Sequence, residues 1–367
     1  MSAAACRCSS DLVVERWDAA FPAHSGPFGL AGWQAAFLVV GLPGLLLALV
    51  VATLREPMRG LSETVLPDQP EASAAGFVQE VLTIIPPFSL IGAARRGPRA
   101  LFANIAVIGL VTAIVLLLVL GFEEPVAQWA AVGAGVYSIY SWGGALRTHD
   151  RPTFSLTFGS RAFNCVVLSY GLVAFLSYAV SAFAASHARR SFGLSADEVG
   201  LWVGLPAAAG GFIGLTLGGR IADTLRSRHA AGRIAVLLAG TIVPVIFVVP
   251  AFLTQDATHF FILNILYIIA ASSALGAAAA TTQDLVLPRM RGSATAIFFV
   301  GTTLLGLALG PYLAGRISAL TGDLATGILS LLVSTPIACI AAILAWRWAP
   351  AAEARREAMA LGDASAI

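Results

Sequence analysis

Lysine is missing altogether from this 367-residue chain, whose 22 basic residues are all arginine. Its absence removes a Walker-type phosphate loop, a pyridoxal Schiff base and any lysine nucleophile from consideration. Charge of either sign is scarce, at 11% of residues, and the net charge of +2 is too small to point to a nucleic-acid partner. Cysteine is also sparse. Cys6 and Cys8 stand one residue apart in a polar tail, while Cys165 and Cys339 sit inside apolar runs, so neither a disulfide framework nor a tetrahedral metal site has the right spacing. The two thiols in apolar runs read as small buried hydrophobes, and no metal or cofactor is expected. What the chain has in abundance is apolar residues: 58% of the total, with a strongly positive mean hydropathy. That combination excludes a string of soluble domains and implies an all-α integral membrane protein lying in the lipid bilayer.

Residues 1–30 carry Arg7, Asp11, Glu15, Arg16 and Asp18 without a long apolar stretch, and read as a polar leader rather than a signal peptide or an anchor. A first span occupies residues 31–54, with Gly41, Pro43 and Gly44 expected to bend it. Residues 55–100 form a long polar loop. Within it Phe77 to Leu90 is apolar but short and broken by Pro86 and Pro87, as suits a helix lying in the membrane interface. Two apolar runs then stand almost back to back over residues 101–146, joined only by Phe122, Glu123, Glu124 and Pro125, and predict a helical hairpin. Six further spans follow within residues 147–350, at about 162–186, 199–219, 234–253, 258–283, 293–315 and 325–346, and residues 351–367 make a tail. The expected total is nine spans, with no aspartate, glutamate or arginine in any interior, since each such charge costs at least a few kcal/mol there.

Arginine sets the orientation. Alternate loops beginning at Arg55 hold seventeen arginines, against Arg189, Arg190 and Arg316 on the opposite side. By the positive-inside rule the rich side is cytoplasmic, which places the C-terminus inside and the first span entering from outside.

The sharpest signal lies between Gly210 and Arg228. Gly210, Gly214 and Gly218 recur every four residues and so share one helical face, where the lack of side chains lets a neighbouring backbone come close. The stretch closes on Gly219-Arg220-Ile221-Ala222-Asp223-Thr224-Leu225-Arg226-Ser227-Arg228, with a carboxylate and several guanidinium groups where the helix should leave the membrane.

This ending resembles the repeated cytoplasmic loop motif of the major facilitator superfamily, in which glycine, three residues, aspartate and a basic cluster join the second and third spans of each half. Further stretches resemble the same family. Gly32-Trp33-Gln34-Ala35-Ala36-Phe37 with Gly41-Leu42-Pro43-Gly44 and Leu54-Arg55-Glu56-Pro57 looks like its sixth span, with Gln34 in the usual arginine place. Phe192-Gly193-Leu194-Ser195 through Glu198-Val199-Gly200 is similar to the outer loop after the seventh span. Pro288-Arg289-Met290-Arg291-Gly292-Ser293-Ala294 and Gly310-Pro311-Tyr312-Leu313-Ala314-Gly315 are similar to the tenth-to-eleventh span region. The pattern looks most like bacterial spinster-type carriers over about residues 30–350. It departs in lacking five earlier spans, in adding the hairpin, and in placing Thr224 where a basic residue commonly follows the aspartate. The chain therefore reads as an N-terminally truncated carrier with a C-terminal six-helix bundle, a preceding sixth span and an inserted hairpin.

The resemblance implies secondary transport of a small organic or amphiphilic solute across the inner (plasma) membrane by alternating access of two helical halves. It gives Gly219, Asp223, Arg226 and Arg228 a gating role, with Asp223 pairing to nearby Arg220, Arg226 or Arg228 in one state only. The first and fourth helices of a half line the family's cavity, which nominates Tyr170, Ser177 and Tyr178 in one span and Asn264 and Tyr267 in another as solute contacts. The spans offer no titratable carboxylate for ion coupling. His24, His149, His187, His229 and His259 fall in loops or near span ends, where solvation is the expected state. Two alternatives stay open: a non-transporting fragment or half-carrier that needs a missing N-terminal half or partner chain, and a membrane-embedded transferase. The second would need paired aspartates, a histidine with a nearby acid, or a metal cluster, and none is visible.

Overall fold

The computed structural model describes residues 10–21, 27–54 and 81–364, and every regular element among them is helical. We number the principal helices α1 (Ser10–Ala20), α2 (Gly32–Thr53), α3 (Phe88–Arg95), α4 (Pro98–Gly121), α5 (Val126–His149), α6 (Arg151–Leu156), α7 (Arg161–Phe192), α8 (Leu205–Arg228), α9 (Gly232–Leu253), α10 (Ala257–Asp284), α11 (Arg291–Thr302), α12 (Gly310–Thr321), α13 (Leu324–Leu329) and α14 (Ser334–Ala364). A π-helical turn, Gly200–Gly204, leads into α8, and another, Thr303–Ala308, joins α11 to α12. Among the described residues, eight helical segments are long and apolar enough to cross a membrane. The ninth expected span, α5, is a helix of 24 residues, but Gln128, Tyr137, Ser138, Tyr140 and Ser141 dilute its apolar character.

Local chemistry fixes the ends. The Ser160 hydroxyl accepts a hydrogen bond from the Phe163 amide at 3.4 Å to start α7, and Gly193, at a left-handed φ of 67°, stops it. Asp256 caps α10 through the His259 amide at 2.9 Å, and Asp323 caps α13 through the amides of Ala325 and Thr326 at 3.2 and 2.8 Å. The polar leader folds back on α2: the Trp17 indole donates to the Leu30 carbonyl at 2.9 Å, and the Gly32 amide donates to Asp18 at 3.0 Å. The expected interfacial segment Phe77 to Leu90 lies partly outside the described residues. From Val81 onward it splits at the prolines and continues as α3 to Arg95, because proline opens a helix more readily than it sits inside one.

Helices α7 to α14 form one bundle around the fully buried rings of Phe163, Phe260 and Phe298, with α10 packed on α7, α8 and α9. Glycine governs two of its contacts. Gly210, Gly214 and Gly218 face α10 so closely that a Cβ on Gly214 would stand 2.3 Å from the Ile269 carbonyl oxygen, and one on Gly218 2.5 Å from the Ser273 Cα. Along the other seam, Gly301, Gly306 and Gly310 meet Val167, Ala174 and Phe175 of α7. Their spacing is five and then four, and a straight α-helix would swing Gly306 away from the face. The π-helical turn at Thr303–Ala308 absorbs the extra residue and keeps all three on one side.

The α4–α5 hairpin docks against this second seam. The Gln128 side-chain amide donates to the Ala308 carbonyl, Trp129 meets Tyr312 edge-on at 5.7 Å, and Arg316 pairs with Glu124 at 3.1 Å.

Candidate functional site

At the arginine-rich end of the bundle, the last turn of α8, the first turn of α9, the end of α10 and the polar half of α14 bring charged side chains together. Asp223 accepts from Arg233 Nη2 at 2.8 Å and from its Nε at 3.2 Å. Arg233 also reaches Asp284 through Nη1. Arg226 stands 3.5 Å from Asp284 and 2.9 Å from Glu353, and donates to the Ala230 carbonyl. Arg356 adds a hydrogen bond to the Asp284 backbone carbonyl at 2.8 Å. The network thus ties four helices at one end.

This arrangement corrects the expected pairing of Asp223 with its sequence neighbours. Its partner is Arg233, on the far side of the α8–α9 turn, while Arg220 and Arg228 face solvent and Arg226 turns to Asp284 and Glu353. The turn is tight because a Cβ on Gly232 would stand 2.2 Å from the Leu225 carbonyl, so α9 starts close enough for Arg233 to reach back. Thr224, in the place of the usual basic residue, spends its hydroxyl on the Arg220 carbonyl at 2.8 Å. A Cβ on Gly219 would meet nothing within 4 Å, so Gly219 makes no close approach of the kind seen at Gly214. Asp284, Arg233 and Glu353 are the functional candidates that sequence reasoning missed. A signal was present, since Asp284 and Arg233 stand at helix ends on the arginine-rich side and Glu353 lies in the polar half of α14 on that side.

The five nominated solute contacts divide into an inner and an outer group. Tyr267 is 2% exposed and its hydroxyl meets that of Ser177 at 3.3 Å, joining α10 to α7. The pair borders a cavity of about 10 Å³ lined also by Leu176, Thr241, Pro244 and Thr335, which has room for a single water. Asn264 is 4% exposed on the same helix. Tyr178 lies on the outside of α7, 41% exposed, with its ring near Gly306. Tyr170 is half-buried and stacked on Phe298 at 5.4 Å. The Tyr267 hydroxyl is thus enclosed between α7 and α10, with space beside it for little more than a water.

Two expectations fail in detail. His187 is not solvated: it is 6% exposed, ringed by Phe192, Phe252 and Phe260 at 4.8 to 6.0 Å. Cys165 and Cys339 are only partly buried, since their helices turn an edge outward. At the end of the bundle away from the network, Asp256 and Asp323 are committed to caps. The His259 amide holds Asp256 below the usual carboxylate range, and the Thr326 hydroxyl and amide do the same for Asp323. Among the described residues, no group of three metal-ligating side chains converges.

Comparison with known proteins adds to this geometry. The sequence profile of the Major Facilitator Superfamily matches residues 166–362, from α7 to the polar half of α14. An "MFS-type efflux pump" of Mycolicibacterium smegmatis is 29% identical over 278 residues, covering 72% of this chain and 61% of the relative. Among solved structures, a bacterial homolog of the human lysosomal transporter Spinster, inward-facing and unoccupied, superposes with a TM-score of 0.52 at 20% identity, covering 94% of this chain and 66% of that one. The chain thus spans about three fifths of the mycobacterial relative and just under two thirds of the solved one.

Proposed function

The chain belongs to the major facilitator superfamily, and on that premise we propose that it acts as a secondary transporter moving a small organic or amphiphilic solute across the plasma membrane by alternating access. The observation that carries this reading is the family match itself, which coincides with the bundle built from α7 to α14. In this reading α2 corresponds to the family's sixth span, α4 and α5 are an added hairpin, and the arginine-rich end with the C-terminus faces the cytoplasm. The exposed side of α7, with Tyr178 and beside it Tyr170, faces the opposing helical half and touches the solute. Ser177, Asn264 and Tyr267 act from behind, holding α7 and α10 in register. The gating motif works through Asp223 and Arg226 by way of Arg233 and Asp284 rather than through Arg228. Efflux, the direction named for the mycobacterial relative, is the direction to examine first.

Expression in an efflux-deficient bacterial host tests the reading. Cells carrying the chain should accumulate several-fold less of an amphiphilic fluorescent dye than cells with an empty vector, and equal accumulation would refute it.

The division of the polar set makes a separate prediction. Tyr178→Ala should slow transport while leaving the melting temperature in detergent unchanged. Tyr267→Phe and Ser177→Ala should each cost about 1 kcal/mol of stability, and the double variant no more than either alone, because one hydrogen bond is lost in all three. Additive losses would show that the two hydroxyls act independently.

A further inference from the structure

At the α3 end of the hairpin stands a cation with no anion among the described residues. Arg96 closes α3 and is followed by Gly97, at a φ of 115°, and Pro98, the first residue of α4. Its Nε donates to the Gly92 carbonyl at 3.3 Å, which is ordinary helix capping. The rest of the guanidinium lies across α5, with Nη1 3.1 Å from where a Cβ of Gly144 would stand. Tyr137, Tyr140 and Gly144 share this face of α5. Two of the neighbouring hydroxyls are already committed. The Tyr137 hydroxyl bonds to Asn104 at 3.3 Å and Ser89 at 2.9 Å, and the Ser141 hydroxyl donates to the Thr83 carbonyl at 2.9 Å. Arg96 Nη2 is shielded from solvent and has no hydrogen-bond partner, and no carboxylate pairs with this arginine among the described residues.

A guanidinium drawn out of water with no counter-charge is costly, and the cost falls sharply when an anion arrives. Its surroundings indicate which anion. Arg96 stands where two long helices, α4 and α5, reach one end of their apolar length, the level that headgroups would occupy around a hairpin spanning a bilayer. Earlier on the same short helix Phe88 and Ile91 expose about half of their surface, and Arg95 and Arg99 are exposed on either side of Arg96 in the sequence. Exposed apolar side chains and a guanidinium partly withdrawn from water on one short helix suit the acyl chain and phosphate of one molecule.

We propose that the turn between α3 and α4 binds the phosphate of an anionic phospholipid, gripped by Arg96 over Gly144, with Phe88 and Ile91 against its acyl chain. The site does not depend on the transport reading, since it requires only that α4 and α5 lie in a bilayer.

Native mass spectrometry of the detergent-purified chain, titrated separately with phosphatidylglycerol, phosphatidylcholine and inorganic phosphate, tests this. Phosphatidylglycerol should bind about tenfold more tightly than phosphatidylcholine, and inorganic phosphate should leave no adduct. Arg96→Gln should abolish the preference, whereas Arg95→Gln should keep it. If Arg96→Gln does not yield folded protein, Gly144→Leu decides, because its larger side chain fills the space where Nη1 lies without removing charge and should weaken phosphatidylglycerol alone. Equal binding of the two lipids, phosphate binding as tightly as the lipid, or a preference that survives in Arg96→Gln, or in Gly144→Leu where Arg96→Gln does not fold, would overturn the proposal.

Discussion

Gly214→Val should cost about 1–3 kcal/mol and lower the melting temperature of the purified protein by roughly 1–4 °C, because the new Cβ cannot coexist with the backbone of α10. The obstacle is the Ile269 carbonyl oxygen, 2.3 Å from the position the Cβ would take, and a main-chain atom cannot rotate aside as a side-chain tip can. Gly218→Val should behave alike, meeting the backbone of Ser273. Gly219→Ala is the control: it stands next in sequence, a Cβ there meets nothing, and its melting temperature should match the parent's. The three variants separate a packing role for the stripe from a general intolerance of that helix to substitution. An unaltered melting curve for Gly214→Val would mean that α8 and α10 do not approach as described.

Asp284→Asn should reduce the initial transport rate by about tenfold, and by more than Asp223→Asn, measured on equal amounts of folded protein. The ranking follows from the partners. Asp284 meets both Arg226 and Arg233 and is one-quarter exposed, whereas Asp223 has, among the described residues, only Arg233 and is two-thirds exposed. Removing Asp284 takes one anion from each of two half-buried guanidinium groups, leaving Arg226 with Glu353 and Arg233 with Asp223, while removing Asp223 takes one anion from Arg233 alone. The opposite order would favour the motif aspartate as the principal gating group, as the sequence motif on its own suggests.

How much was legible depended on which regularity carried it. The four-residue step of Gly210, Gly214 and Gly218 is the period of an ideal helix, so their common face could be read without a structure. The seam formed by Gly301, Gly306 and Gly310 obeys the same packing logic but steps by five, and that reads as a different face unless a π-helical turn is known to intervene. Charge partners were misassigned because nearness in sequence stood in for nearness in space. Arg233 lies ten residues beyond Asp223 but is folded back beside it by a turn whose closeness rests on Gly232. The inward direction of Tyr267 was hidden for another reason: a helix surrounded by lipid is apolar on every side, so hydrophobic periodicity does not separate bundle interior from exterior. His187 shows the same limit at a helix end, where position suggested water and three phenylalanine rings enclose it.

Flux through proteoliposomes tests the central claim most directly. Liposomes reconstituted with the 367-residue chain should move a fluorescent single-chain amphiphile several-fold faster than protein-free liposomes, and the same preparation carrying Asp284→Asn should retain about a tenth of that protein-dependent rate. Rates equal to protein-free liposomes would contradict the transport reading, and equal rates for the parent and Asp284→Asn would contradict the role given to the network.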